Sequence, residues 1–484
     1  MVAIKNIVGR ELEKAKLDKM LASPQAEFLA IYGRRRIGKT YLIRQYLKDN
    51  LVFDFTGTRD GKNDVQLNNF FDEYLKRTNG QKETQPPPSW QVAFKYLADY
   101  LAGQQVTASK LVVFIDEMPW IDTPRSGFVS ALEFFWNQHA SNMDNVLLIA
   151  CGSASSWIKK KLIHARGGLY NRVTQRIKLL PFNLYETELF INTLGVNLPR
   201  FQLLELYMAM GGIPFYLKEI TKGKTASQLI DEICFSEHGL LQGEYDQLYH
   251  SLFKHAENHI AIIESLAAKP QGITRQQIGI ATHISEGSLS RALEELAECD
   301  FVSVYQPFIN KKKEAIYKLT DLYSLFYLKF IKANKDGGSG VWEQLSAKSS
   351  YMAWSGYAFE NICMLHIDQV KMALGISGVY TKCSSWKFKG DETLGGVQID
   401  MLIDRADQAI NLCEAKFTRD NFAITNTYAA ELRMKESIFR QATGTKKALF
   451  TTLLTTYPAI RNKYYMEEVE KEITMEKLFE PAPQ

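Results

Sequence analysis

The stretch Gly33-Arg34-Arg35-Arg36-Ile37-Gly38-Lys39-Thr40 fills every fixed position of the pattern G-x-x-x-x-G-K-[ST], and it restricts what the chain around it can be. Such a loop works only where a strand feeds it and a helix leaves it. The flanks comply: Phe28 to Tyr32 is a short apolar run of strand character, and Tyr41 to Asn50 carries Leu42, Tyr46 and Leu47 at helical spacing. Gly33 and Gly38 permit backbone conformations that turn successive N–H groups onto phosphate oxygens, and the helix N-terminus adds partial positive charge. Lys39 is expected to reach the β- and γ-phosphates of ATP, and the Thr40 hydroxyl to ligate the Mg2+ that bridges them.

With 484 residues the chain is too long for one hydrophobic core, and about three domains are expected. A net charge of +4 gives no strong prior for nucleic acid, so any basic surface must be local. The six cysteines are scattered, without metal-ligand spacing, and read as buried thiols in a reducing compartment. No apolar run approaches the roughly 18 residues of a membrane span, and Glu11 and Glu13 interrupt any leader. The expectation is a cytoplasmic protein with no membrane partner.

Residues 7–21 open with a turn at Gly9 and continue as a helix with Leu12, Leu17, Met20 and Leu21 on one side. A strand is expected over Leu51–Thr56, then helices around Gln66–Arg77 and Trp90–Ala102, with Pro86-Pro87-Pro88 in an irregular loop between them. Leu111-Val-Val-Phe-Ile115 is continuously apolar, as in a strand buried on both faces, and it ends in Asp116-Glu117. At the C-terminal edge of a parallel sheet such acids face the ligand crevice, where Asp116 would hold Mg2+ and Glu117 activate water. Asn145 to Gly152 is a further buried strand with Ser153 at its tip. That serine caps the helix that follows or, as a resemblance to AAA+-type enzymes implies, orients the water near the γ-phosphate. Arg172 and Arg176 are candidates for reaching the γ-phosphate.

The V-G-R-E-x-E opening, with Gly9 and Arg10, resembles the adenine-side entry of AAA+-type ATPases. The phosphate loop, the acidic pair, the Gly152-Ser153 tip, Leu169-Tyr-Asn-Arg172, Pro181-Phe182 and Gly211-Gly212-Ile213-Pro214-Phe215-Tyr216-Leu217 resemble the archaeal-type ATPase family, a branch of the AAA+-related STAND class. The resemblance covers residues 1 to about 330. It implies an α/β parallel-sheet ATPase domain whose acidic-pair strand is separated from the phosphate-loop strand by the Ser153 strand. Asn171 stands where the family pattern has glycine, a position asparagine tolerates because it visits the left-handed region.

Residues 255–320 read as a winged helix: helices over His255–Ala268, Ile273–Ala281 and Gly287–Glu298, then strands Phe301–Tyr305 and Ala315–Leu319 flanking a wing tipped by Lys311-Lys312-Lys313. The outward positions of the third helix offer Arg291 but also Glu294, Glu295 and Glu298, a balance that favours packing and regulation over insertion into a DNA groove. Asn334 to Gly340 has linker composition.

Beyond it, a helix over 354–370 carries Glu360 among apolar neighbours, and Gly396–Asp404 and Ala409–Phe417 alternate like the strands of a hairpin. Glu414 and Lys416 share one pleat face. Asp400 joins them only if paired residues sum to 814, which places Leu402 opposite Leu412 and Asp404 opposite Ile410. That register requires an odd turn such as Ala406-Asp407-Gln408, because a one-residue slip turns the acids to opposite faces. A helix Glu, then D-x13-E-x-K, resembles the PD-(D/E)XK nuclease superfamily over about 345–455, although Ile399 stands where the family name has proline. The resemblance implies Asp400 and Glu414 as metal ligands, Lys416 as the water-positioning lysine and Glu360 as the helix acid.

The expected domains are therefore an ATPase domain with helical extension over 1–240, a winged helix over 241–333, a linker over 334–340 and a restriction-endonuclease-like α/β domain over 341–484. The leading expectation is an ATP-hydrolysing protein coupled to a metal-dependent nuclease-like domain on DNA. The alternative is a STAND-type signalling ATPase whose C-terminal domain binds a partner or nucleic acid only. A homo-oligomer or protein partner would engage the winged-helix or C-terminal domain.

Overall fold

The computed structural model describes residues 7–80, 85–104, 110–164, 168–306, 308, 315–335, 338, 340–390 and 395–482. Contacts divide the chain into two units. The first holds the chain up to Leu180 with Ser251–Lys254 and Glu298–Asp300; the second holds Pro181–His250, His255–Ala297 and the chain from Phe301 onward.

The first unit is built on a parallel sheet of β1 (Glu27–Tyr32), β2 (Leu51–Thr56), β3 (Leu111–Asp116), β4 (Val146–Gly152) and β5 (Gln175–Lys178), in the order β2-β3-β4-β1-β5. The central strands β3 and β4 are buried at every position, which is why they read as unbroken apolar runs. One face carries helices Asn63–Thr78 and Trp90–Ala102, whose Phe70, Trp90 and Phe94 pack with Phe53, Phe55 and Phe128. β4 lies between β1 and β3, as the family resemblance implies. β5 is a strand the sequence does not announce: only Ile177 of Gln175-Arg-Ile-Lys178 is buried, as suits a short edge strand.

In the second unit, the paired segments Pro181-Phe182 and Gly211-Gly212 form one backbone crossing. Phe182 donates its N–H to the Gly212 carbonyl at 2.7 Å, and a Cβ on Gly212 would lie 1.8 Å from the Phe182 carbonyl oxygen. Helices Ala256–Ala267, Arg275–Thr282 and Glu286–Glu298 accompany a small antiparallel sheet of β6 (Ile273–Thr274), β7 (Val302–Tyr305) and β8 (Ile316–Leu319), in the order β6-β8-β7. Lys311, Lys312 and Lys313 lie outside the described residues. Arg291 and Glu295 form a salt bridge at 3.0 Å on the third helix, and Glu295 also bonds His259. Of the linker-like stretch, Gly340 donates its N–H to Asp231 at 2.7 Å, and Trp342 does so at 2.9 Å.

The helix carrying Glu360 runs Ser349–Leu365, breaks at His366 and resumes as Ile367–Ala373. It therefore begins earlier than the expected Trp354 and does not run unbroken to 370. At the break His366 leaves the helical backbone, and its imidazole faces inward to accept the Leu184 N–H. A second sheet follows, of β9 (Thr381–Phe388), β10 (Val397–Arg405), β11 (Ala409–Lys416), β12 (Ala448–Thr455) and β13 (Lys471–Thr474), in the order β13-β12-β11-β10-β9. β9, β10 and β11 are antiparallel, whereas β11, β12 and β13 are parallel. Parallel neighbours need a crossover, and helix Asn426–Thr443 supplies it between β11 and β12.

Candidate functional site

Three positive backbone φ angles shape the phosphate loop: 144° at Gly33, 70° at Arg36 and 92° at Gly38. Gly33 is required twice over, because a Cβ there would also sit 2.3 Å from the Leu179 carbonyl oxygen beyond β5. Helix Lys39–Tyr46 starts at the loop's end with Gly38 as its cap. Lys39 is 5% exposed and donates from Nζ to the Gly33 and Arg34 carbonyls at 2.7 and 2.8 Å, and to Ser153 Oγ at 3.4 Å. The Thr40 hydroxyl donates to Asp116 Oδ2 at 2.6 Å. The β3-β4-β1 order thus brings loop, acids and serine to one sheet edge.

Glu117 adopts a left-handed backbone (φ 48°, ψ 46°), and its carboxylate accepts from Ser153 N at 3.1 Å and Ser153 Oγ at 2.5 Å. The serine is therefore tied to both the lysine and the second acid. Gly9 and Arg10 both have φ of 63°, and buried Arg10 donates from Nη2 to the Ile37 carbonyl at 3.2 Å, bracing the loop from outside. Arg34 is buried, and Arg35 lies 5.3 Å over the Trp120 ring. Arg172 is exposed and donates to the Gly168 carbonyl within its own turn. Arg176 is exposed on β5. Asn171 takes the left-handed φ of 55° that its place in the pattern demands. Sequence reasoning missed Lys178, which ends β5 and pairs with Asp300 at 2.6 Å, since nothing local marks so distant a partner.

Residues 7–220 match the family model described as an ATPase domain predominantly from Archaea. The protein is an ATPase. A curated relative, an uncharacterized protein of Methanocaldococcus jannaschii, is 24% identical over 388 residues, spanning 80% of this chain and 82% of its own. Among solved structures, the Walker-type ATPase of Pyrococcus abyssi is 16% identical with a TM-score of 0.47, covering 67% of this chain and 97% of that one. The ORC2 protein of Aeropyrum pernix, solved as ADPNP and ADP complexes, is 14% identical with a TM-score of 0.40, covering 71% and 96%. Among the described residues of the ATPase, no helix is long and apolar enough to cross a membrane.

The second candidate site rests on the β10–β11 hairpin. Leu402 pairs with Leu412 and Asp404 with Ile410, as expected, but β10 carries a bulge against β9 between Ile399 and Leu402, so simple alternation does not set the face of Asp400. Ala406-Asp407-Gln408 forms the turn between the strands, with Gln408 left-handed at φ 65°. Asp400 Oδ2 accepts the Ala415 N–H at 3.0 Å, which holds this aspartate beside Glu414.

Around this pair the lysines are arranged in a way the motif does not announce. Glu414 Oε2 accepts from Lys435 Nζ at 2.7 Å, while its Oε1 is buried with no hydrogen-bond partner. Glu360 Oε2 accepts from Lys318 of β8 at 3.3 Å. Lys416 Nζ sits 4.2 Å over the Tyr428 ring. Burial, reinforced by the Asp400 charge, pushes Glu414 up to about 8 and Glu360 up to about 7. Burial works against the Lys435 charge, but Glu414 outweighs it and the ammonium is raised.

Among the described residues, no three His, Cys, Asp or Glu side chains are grouped to hold a metal ion. Glu360 is thus engaged by Lys318 and does not complete a three-acid set with Asp400 and Glu414. Lys435 and Tyr428 went unnoticed because their helix did. Once Asn426–Thr443 is helical, Tyr428, Glu431 and Lys435 fall at i, i+3 and i+7 on one face.

Proposed function

We propose that ATP hydrolysis in the first unit drives or licenses a metal-dependent centre in the C-terminal sheet that cleaves DNA phosphodiesters. In this reading residues 241–333 form a winged helix serving packing and regulation, and residues 341–484 form a restriction-endonuclease-like domain. The observation that supports it is that Asp400 accepts the Ala415 N–H at 3.0 Å, which holds it beside Glu414, itself two residues before Lys416.

At the nucleotide, the backbone N–H groups of residues 33–38 cradle the phosphates, and Lys39 turns from the loop carbonyls to the β- and γ-phosphates. Thr40 and Asp116, already 2.6 Å apart, would hold Mg2+, which supplies charge neutralisation between those phosphates. Glu117, fixed by Ser153, takes a proton from the attacking water as the γ-phosphate bond to ADP breaks. Gly9 and Arg10 frame the adenine side. Arg172 would have to leave its turn to reach the γ-phosphate.

At the second centre, Asp400 and the unpartnered Oε1 of Glu414 would hold one divalent cation. Such an ion supplies Lewis-acid polarisation of a phosphodiester and acidifies a bound water. Lys416 would orient the attacking water, and Glu360, released from Lys318, would accept its proton. The test is supercoiled plasmid with Mg2+ or Mn2+, with and without ATP, comparing wild type with Asp400→Asn. Metal-dependent nicking lost in the variant supports the reading.

The engagement of Glu414 by Lys435 and of Lys416 by Tyr428 favours a second reading, a regulatory ATPase whose C-terminal domain only binds its partner. Wild-type protein that cuts neither DNA nor RNA under any nucleotide condition would establish that reading instead.

A further inference from the structure

We infer that Lys435 is a built-in counter-ion that locks the carboxylate centre in a metal-free resting state and moves to Glu431 when a divalent cation enters. The inference rests on the proposal that Asp400 and Glu414 take a metal, and it adds how that site is kept closed.

Lys435 Nζ stands 2.7 Å from Glu414 Oε2 and 3.3 Å from Glu431 Oε1. Glu414 is nearly sealed from solvent, whereas the Glu431 side chain is 45% exposed. The ammonium therefore already touches two seats: one inside the centre and one at its mouth, a helical turn earlier on its own helix. In a pocket of low effective dielectric, a lysine and a dication on the same carboxylate repel strongly at such separations. One of them must leave. Glu414 cannot, because it lies on the central strand β11 between β10 and β12. Lys435 can, because its long side chain needs only rotamer changes to keep Glu431 and release Glu414.

The other charged groups facing Glu414 do not replace it. Lys416 is stacked on Tyr428, Lys318 is bonded to Glu360, and Asp400 is a second negative charge. Removing Lys435 would leave Asp400 and Glu414 short of positive charge in a buried setting, and a dication supplies it.

The test is Mn2+ binding to the full chain without nucleotide, followed by the loss of the free-ion EPR signal. Only the binding abolished by Asp400→Asn is counted, which removes any contribution of the phosphate-loop site. Lys435→Gln should bind Mn2+ at least tenfold more tightly than wild type. Glu431→Gln, a surface change that leaves the fold alone, should bind several-fold more weakly, because the displaced lysine loses its second seat. Equal affinity in wild type and both variants overturns the lock while leaving the metal site standing. No Asp400-dependent binding in any protein overturns the metal site and the lock together.

Discussion

Lys39 rests on the carbonyls of its own loop, so its charge is held ready for phosphate and contributes little to the core. Lys39→Ala should lower ATP turnover by roughly 100-fold or more and leave the melting temperature nearly unchanged, as steady-state hydrolysis and calorimetry will read. Glu117→Gln keeps Thr40 and Asp116 intact but removes the base. It should retain bound ATP while hydrolysis falls by about 100-fold, and undiminished release of phosphate would refute that role. His366 gives a pH prediction. It is fully buried, its Nε2 accepts from Leu184 N at 2.9 Å, and burial holds its pKa at about 4 against an ordinary 6.5. Above pH 6.5 both folded and unfolded states are neutral here and nothing is lost. As pH falls from 6.5 toward 4 the unfolded chain takes the proton first, and stability declines by up to about 3 kcal/mol. Denaturant titrations between these pH values should show that decline, and His366→Gln should flatten it.

Elements were legible in proportion to their burial. The β1, β3 and β4 runs and the phosphate loop carry their fold in local pattern, because central parallel strands admit only apolar residues. The edge strands β5, β9 and β13 mix charged and apolar residues, so their period is faint. The β10–β11 hairpin was legible down to its register, Leu402 opposite Leu412 and Asp404 opposite Ile410, whereas the bulge between Ile399 and Leu402 left no local trace. Lysines 318 and 435 were not, because ion pairs between residues 42 and 21 positions apart leave no local trace. Turn chemistry gives the prediction at this scale. Gln408 holds a left-handed backbone, so Gln408→Val should cost roughly 1–2 kcal/mol while Gln408→Gly is tolerated. Thermal melts of the two variants distinguish these outcomes.

Across the whole molecule, a phosphate loop with its acidic pair serves one unit and a carboxylate pair among lysines belongs to the other. Each has its own disabling substitution, so the two chemistries can be separated in one protein. Lys39→Ala should abolish ATP hydrolysis and, with it, any ATP stimulation of DNA cleavage. Asp400→Asn should leave ATP hydrolysis intact.

The most direct measurement follows ADP release and plasmid nicking in the same reaction, with Mn2+ and ATP, for wild type and these two variants. The account predicts both products from wild type, ADP alone from Asp400→Asn, and neither ADP nor ATP-stimulated nicking from Lys39→Ala. Nicking that persists in Asp400→Asn, or wild-type protein that releases ADP and never cuts nucleic acid, would contradict it.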